Sequence, residues 1–294
     1  VYIKKQKNHS RWYFIFGFFC MNITIHDMKR ITLVLFLAYC SIITNAQNKK
    51  PWKGKSCAVV LTYDDGLDVD ITNALPVLDS LHLRATFYIA DYMHRFNAQM
   101  RSWREAAGKG HELGNHTRYH PCTGGLPGRE FVKPEGDLNN YTVQRMDDEI
   151  MDMNVQLEAI DGRTKRTFAY PCGDTKIHDT AYIDPLKKEF VAARGVIPSM
   201  PTIDKVDLYN VSCYGVNGQS GDDMIAWVKE AQSKQALLVI LFHGVGGGHS
   251  LNVSLPAHSQ LLHYLKENEK DIWIAPMVEV GEYIKKKQAR GSRR

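Results

Sequence analysis

The 294-residue chain is punctuated by short apolar runs with almost no polar interruption, of which Leu237-Leu-Val-Ile-Leu-Phe242 is the purest. A strand that is apolar at every position, rather than at alternate ones, must be covered on both faces, as strands inside parallel sheets are. Stretches of this β-rich kind predict strands at 57–63, 84–90, 112–116, 166–171, 190–194, 209–216, 236–243 and 272–276. Between them, helical periodicity predicts helices at 72–81, 100–107, 141–160, 222–232, 258–267 and 278–285. The clearest sets Val143, Met146, Ile150, Met153, Leu157 and Ile160 on one stripe and has Gly162 as its stop. Strand and helix alternating in this way imply an α/β fold with a parallel sheet, closed as a barrel or open and doubly wound.

Hydrophobic residues make up 44% of the chain and aromatics 10%, enough for a packed core. The formal net charge of +5 belongs to the ends. Residues 1–46 hold six Lys/Arg and one Asp, 285–294 hold six Lys/Arg, and 47–284 carry 25 basic against 31 acidic residues. A mildly acidic body lacks the clustered basic face that phosphate backbones need, so no nucleic-acid partner is expected.

The N-terminal residues read as an export address. Residues 1–27 read as an extension upstream of a start at Met28. A charged Met28-Lys29-Arg30, an apolar stretch over 31–43 and a small Ala46 before Gln47 then make 28–46 a signal peptide, too short to span a bilayer comfortably. The expectation is an exported, periplasmic or secreted protein cleaved near Ala46. A lipoprotein box at Cys40 is the weaker alternative, because Tyr39 is bulky and apolar residues follow. Residues 47–56 read as a linker, 57–285 as a single domain and 286–294 as a solvated basic tail. The mature chain is expected to be a monomer with no stable membrane span.

Two stretches carry the chemistry. Thr62-Tyr63-Asp64-Asp65-Gly66 ends an apolar strand, where adjacent side chains point to opposite faces unless the turn intervenes. By itself Asp-Gly is also a common turn dipeptide. His111-Glu-Leu-Gly-Asn115-His116-Thr117-Arg118-Tyr119-His120-Pro121 offers two imidazoles four residues apart, with His111 out of register and assigned a structural role. One carboxylate and two imidazoles can hold a divalent metal with open positions, and a second carboxylate beside them can act as base. His243 follows the Leu237–Phe242 run as a candidate general acid, or as an ordinary loop histidine. The glycines at 244 and 246–248 lack the Gly-Lys-Ser/Thr of a phosphate loop and read as a flexible loop near the site. The irregular stretch 122–138 follows the histidine motif and either borders a substrate groove or is an ordinary solvent loop.

Export leaves Cys57, Cys122, Cys172 and Cys213, which allow three pairings. Cys122 follows the histidine motif and Cys172 lies in a later motif, which makes Cys122–Cys172 the bridge to test against two buried thiols.

The ordered set Thr-Tyr-Asp-Asp-Gly, Gly-His-Glu-Leu-Gly-Asn-His-Thr-x-x-His-Pro, Phe168-Ala-Tyr-Pro-Cys-Gly173 and Leu-x-Leu-Phe-His resembles the NodB-type polysaccharide deacetylases, carbohydrate esterase family 4, over roughly 55–285. The resemblance implies a distorted (β/α)7 barrel, a divalent metal (zinc most often, with cobalt or nickel as alternatives) and removal of acetyl groups from a polysaccharide or oligosaccharide. By position it implies Asp64 as base, Asp65, His116 and His120 as metal ligands and His243 as acid. It further implies Leu241 beside the acetyl methyl group, with Tyr170 and Cys172 at the substrate and oxyanion side.

Two departures stand out. Ala169 occupies the place of an arginine that orients the base, and Arg194, at the end of the next predicted strand, is the candidate replacement. The segment Leu208-Tyr-Asn-Val-Ser-Cys-Tyr-Gly215 lacks the carboxylate that tunes the acid. Two other classes fit the same residues: a facial triad of a non-haem iron oxygenase, and a glycan-binding protein on a degraded enzyme scaffold.

Overall fold

The computed structural model describes residues 11–16, 19–24, 50–91 and 96–291, so the expected signal peptide at 28–46 lies outside the described residues. The chain divides into two units, Val1–Lys49 and Lys50–Arg294. In the first, Arg11–Phe16 and Phe19–Thr24 pair as an antiparallel ribbon.

The second unit is built around an eight-stranded parallel sheet. Its strands are β1 (Cys57–Asp64), β2 (Thr86–Ile89), β3 (Glu112–Asn115), β4 (Arg166–Ala169), β5 (Phe190–Arg194), β6 (Tyr214–Gly215), β7 (Leu237–Phe242) and β8 (Ile272–Ile274). They run in the order β6-β7-β1-β2-β3-β4-β5. β1 shares one edge between two partners. Its first half pairs with β8 (Cys57 opposite Ile272) and its second half with β2 (Thr62 opposite Thr86).

The ring is completed by an irregular segment where a strand was expected at 209–216. Ala193 donates to the Leu208 carbonyl, Val211 to Ala193, and Gly195 to Val211. On the other side Val216 donates to Leu241. Alternating its partners in this way, the segment keeps only Tyr214–Gly215 as regular strand. The result is the distorted barrel of parallel strands and helices that the resemblance implies.

Period-2 alternation divides β1 and β7 between two cores. Val59, Leu61 and Tyr63 of β1 join Leu238, Ile240 and Phe242 of β7 in an outer core. It is covered by the helices α1 (Leu75–Ser80), α2 (Phe96–Gly108), α3 (Val143–Asp161), α4 (Gly221–Lys234) and α5 (Leu255–Glu267). Ala58 and Val60 instead face Val239 and Leu241 in an inner core that is closed by Met277, Val280 and Ile284 of α6 (Met277–Gly291). Residues 286–291, expected as part of a basic tail, continue α6 instead.

Local chemistry sets the helix ends. Thr142 accepts from Arg145 N–H at the start of α3, and Gly162 closes it in the left-handed region at φ 67°. Ser220 and Asp223 form a reciprocal capping box at α4.

Glu112, buried at the N-terminal end of β3, ties the opposite end of the sheet together. Its carboxylate accepts from Thr86 Oγ1, the Thr167 amide and Oγ1, and the Val278 amide, each at 2.8 Å. Those donors belong to β2, β4 and the first turn of α6, where a negative charge also meets the helix dipole favourably.

Cys122 and Cys172, separated by 50 in sequence, form a disulfide with Cα atoms 5.8 Å apart, while Cys57 and Cys213 are free and buried. The 122–138 stretch is pinned rather than loose. Arg129 makes a two-pronged ion pair with Asp174 at 2.6 and 3.2 Å and also donates to the Cys172 carbonyl. Among the described residues no helix is long and apolar enough to cross a membrane.

Glu112→Ala strands donors on three elements and is expected to cost about 2–4 kcal/mol, read as a lower urea midpoint at unchanged m. Replacing Cys122 and Cys172 together by serine releases a 50-residue loop. It should cost about 2–4 kcal/mol, seen as a loss of stability that reductant reproduces in the unmodified chain.

Candidate active site

The site is built at the C-terminal ends of β1, β3, β4, β5 and β7, where parallel barrels gather side chains from several strands. Parity points Asp64 into the barrel alongside Val60 and Thr62. Asp65 should point outward, but its backbone lies in the left-handed region at φ 78°, followed by Gly66 at 63°. That reversal turns both carboxylates the same way. Asp64 Oδ2 and Asp65 Oδ1 lie 3.6 and 3.7 Å from His116 Nε2, and Asp65 Oδ1 lies 3.4 Å from His120 Nε2.

The two imidazoles do not share a helical turn. His116 follows β3 directly, and the chain then bends through Thr117 at φ 61° and His120 at φ 52°. Side chains hold this unfavourable backbone in place. Asn115, fully buried, accepts from the Thr117 amide and donates to Ile150 O and Asn154 Oδ1, all at 2.8 Å. Thr117 Oγ1 accepts from the His120 amide at 3.0 Å. The formal glycosylation triplet at Asn115 is therefore committed to the fold.

His116 Nδ1 sits 2.8 Å from the Ala169 carbonyl. A carbonyl can only accept, so Nδ1 carries the proton and the Nε2 lone pair faces Asp64, Asp65 and His120. Burial lowers the His116 pKa to about 4 despite the pull of Asp64, which keeps this lone pair available.

Arg194 ends β5 and is wholly buried. Its Nη2 donates to Asp64 Oδ2, its Nη1 donates to the Gly195 carbonyl at 3.1 Å, and its guanidinium lies 5.3 Å from the Tyr88 ring centre. Burial alone would raise the Asp64 pKa, but Arg194, with His116 and His243, brings it below the ordinary carboxylate value. Ala169 thus offers a carbonyl to His116, while the guanidinium beside Asp64 comes from the neighbouring strand. Cys213 packs against the same arginine, its Sγ 3.2 Å from the Gly195 carbonyl.

Asp65, His116 and His120 present one carboxylate oxygen and two imidazole nitrogens within 4.8 Å of one another. Asp65 Oδ1 is buried with no hydrogen-bond partner among the described residues. An orphaned carboxylate oxygen between two imidazole nitrogens is a donor set that fits a divalent cation. A second grouping, His120 with Cys122 and Cys172, offers no thiolates because the sulfurs are bonded to each other.

These groups line a cleft of about 1330 Å³ together with Leu241, His243, Tyr170 and Cys172. Leu241 belongs to the inner core, and Cys172 is a further non-glycine residue in the left-handed region, at φ 53°. Tyr170 is buried with its hydroxyl already donated to the Tyr209 carbonyl at 2.7 Å, so the oxygen is committed to the fold. His243 sits just beyond β7. Burial lowers its pKa, partly offset by Asp64 and Asp65. His111 lies at the other end of β3, accepting from the Ala85 amide and facing Asp79 at 3.1 Å.

The sequence reading gave His249 no role, although it lines the same cleft and stacks on His243. The glycine run before it is not loose. Gly244, Gly246 and Gly247 donate to Leu251 O, Val253 O and Asn252 Oδ1. Spacing alone carried no signal for His249, since the turns at the glycines determine where it lands.

The model of the polysaccharide deacetylase family matches residues 53–187. That segment holds Asp64, Asp65, His116, His120, Tyr170 and Cys172; Arg194, Leu241 and His243 lie beyond it. Uncharacterized protein YlxY of Bacillus subtilis is 28% identical over 133 residues, which are 45% of this chain and 34% of that protein. The aligned region therefore spans about a third of the curated relative. Among solved structures, a Mycobacterium smegmatis protein assigned to the polysaccharide deacetylases superposes with a TM-score of 0.56 at 14% identity, over 80% of this chain and 92% of that one. The Bc1960 peptidoglycan N-acetylglucosamine deacetylase gives 0.50 at 17% identity, over 77% and 88%. At these identities the superpositions speak for the fold. With the match over 53–187, the chain is similar to the polysaccharide deacetylases in that segment and shares their fold.

Proposed function

We propose that the chain is a metal-dependent hydrolase that removes O- or N-linked acetyl groups from a polysaccharide or oligosaccharide, releasing acetate. The observation that carries this reading is the division of labour between adjacent carboxylates. Arg194 holds Asp64, while Asp65 faces the two imidazoles. A facial triad for oxygen chemistry has no use for a second, guanidinium-held carboxylate beside it.

Asp65, His116 and His120 would hold the cation, with zinc as the proposed metal and cobalt or nickel as substitutes. When bound, a divalent cation supplies Lewis acidity that makes water a nucleophile near neutral pH and polarises a carbonyl. Asp64 is the base. Arg194 occupies Oδ2, while Oδ1 is buried without a hydrogen-bond partner among the described residues and can take the proton of the attacking water. Leu241 gives the acetyl methyl group an apolar wall, and the Cys172 amide is positioned as a donor to the oxyanion. His243 protonates the departing sugar oxygen or nitrogen. The cleft exceeds the several hundred cubic ångströms of an ordinary small-molecule pocket, consistent with an extended glycan. Export by the 28–46 segment and a monomeric state complete the proposal.

Chelation should abolish acetate release from acetylxylan, chitooligosaccharides or peptidoglycan, with zinc or cobalt restoring it. Full turnover in a rigorously metal-free preparation would overturn the mechanism. Asp64→Asn should retain bound metal by elemental analysis while kcat falls by roughly 10²–10⁴. Asp65→Ala should lose both, and equal metal loss in the two variants would reverse the assigned roles. Arg194→Ala strands a buried carboxylate. It should destabilise the fold by about 3–5 kcal/mol and reduce kcat, and Arg194→Lys should not restore either, because an ammonium cannot reproduce the fork.

A further inference from the structure

His243 has no hydrogen bond to its ring among the described residues. A side chain that must deliver a proton to a defined atom needs its ring plane fixed, and carboxylates or carbonyls usually do this. Here the ordered neighbour is another imidazole. His249 lies parallel to His243, with ring centres 4.8 Å apart and an angle of 17° between planes.

His249 is itself held. The Leu251 amide donates to its Nδ1 at 3.0 Å, so the neutral ring carries its proton on Nε2, and a second proton on Nδ1 would break that bond. The glycines that deliver it are sterically required. Gly246, Gly247 and Gly248 have φ of 71°, 125° and 83°. A Cβ on Gly248 would come within 2.7 Å of Val69, and one on Gly244 within 2.3 Å of the Gly247 carbonyl.

We propose that His249 is a positioning residue for His243, its neutral ring serving as the stacking platform that fixes the plane of the acid. The inference rests on the reaction proposed above. During turnover the proton passes from His243 to the leaving oxygen or nitrogen, and His249 neither gives nor takes one. Its π face offers favourable contact to the imidazolium before transfer and to the neutral ring after it. The Gly244–Gly248 turn thereby does for His243 what a neighbouring carboxylate would otherwise do.

The test uses the full chain loaded with zinc. His249→Ala should reduce kcat about tenfold while KM and bound zinc stay within twofold. His249→Phe keeps a flat ring without a titratable nitrogen and should recover most of that loss. Wild-type kcat in His249→Ala, or an equally slow His249→Phe, would overturn the proposal. Nitrogen NMR of the side-chain imidazoles gives a readout independent of turnover. His249 should appear as the neutral Nε2–H tautomer, and His243 ring signals should shift or broaden in His249→Ala. Unchanged His243 signals would overturn the positioning role even if activity fell. If the unmodified chain releases no acetate from any acetylated glycan, the reaction assignment fails, whereas the NMR arm still decides whether His249 orders His243.

Discussion

Two carboxylates on consecutive residues, both facing His116 Nε2 at 3.6 and 3.7 Å, repel each other and are starved of solvent. The arrangement depends on a buried guanidinium. Arg194 neutralises Asp64 from the far side, which leaves Asp65 free to face His116 and His120. Without that cation, burial would push one of the carboxylates towards its neutral form and remove the distinction between them. The pair has a cost of its own, since a buried charge is tolerated only when hydrogen-bonded, and Arg194 meets this through Asp64 and the Gly195 carbonyl. Its position on β5, rather than within the motif that supplies Ala169, moves the counterion to a neighbouring strand while its side chain still reaches the same carboxylate.

Backbone strain concentrates around the same spot. Asp65, Thr117, His120 and Cys172 all adopt positive φ without being glycine. Each turns a chain segment where a regular strand or helix would carry the side chain away. The surrounding order outweighs this cost: Asn115 and Thr117 brace the histidine turn, and the disulfide with the Arg129–Asp174 pair braces the segment facing it. Rigidity placed this close to the reacting groups favours a preorganised site over one assembled on binding.

Much of this was legible beforehand because it follows from residue order and periodicity. The apolar runs located all eight strands of the sheet, and the helical stripes located the helices. Asp64, Asp65, His116 and His120 were visible as a motif because their spacing fits chemistry as well as structure. What escaped notice depends on backbone torsions and on distant partners. A turn that relaxes strand parity was legible in Asp65-Gly66, but not that it starts at Asp65 itself, at φ 78°. Glu112 looked like one more motif residue, yet its partners lie on β2, β4 and α6. The glycine run was read as loose, although three of its amides are bonded and it delivers His249. The segment at 209–216 has the composition of a strand but divides its hydrogen bonds between two neighbours.

The shared edge of β1 has a consequence for how such a chain is made. The first half of that edge waits for Ile272–Ile274, and the Glu112 carboxylate waits for an amide 166 residues later. During vectorial synthesis the central strand therefore emerges long before the partners that cover it. A nascent chain that already carries every metal-ligand candidate still exposes an unpaired strand edge and an unsatisfied buried acid. Closure of the barrel is governed by contacts distant in sequence, which slows folding and lengthens the interval in which a holding chaperone is useful.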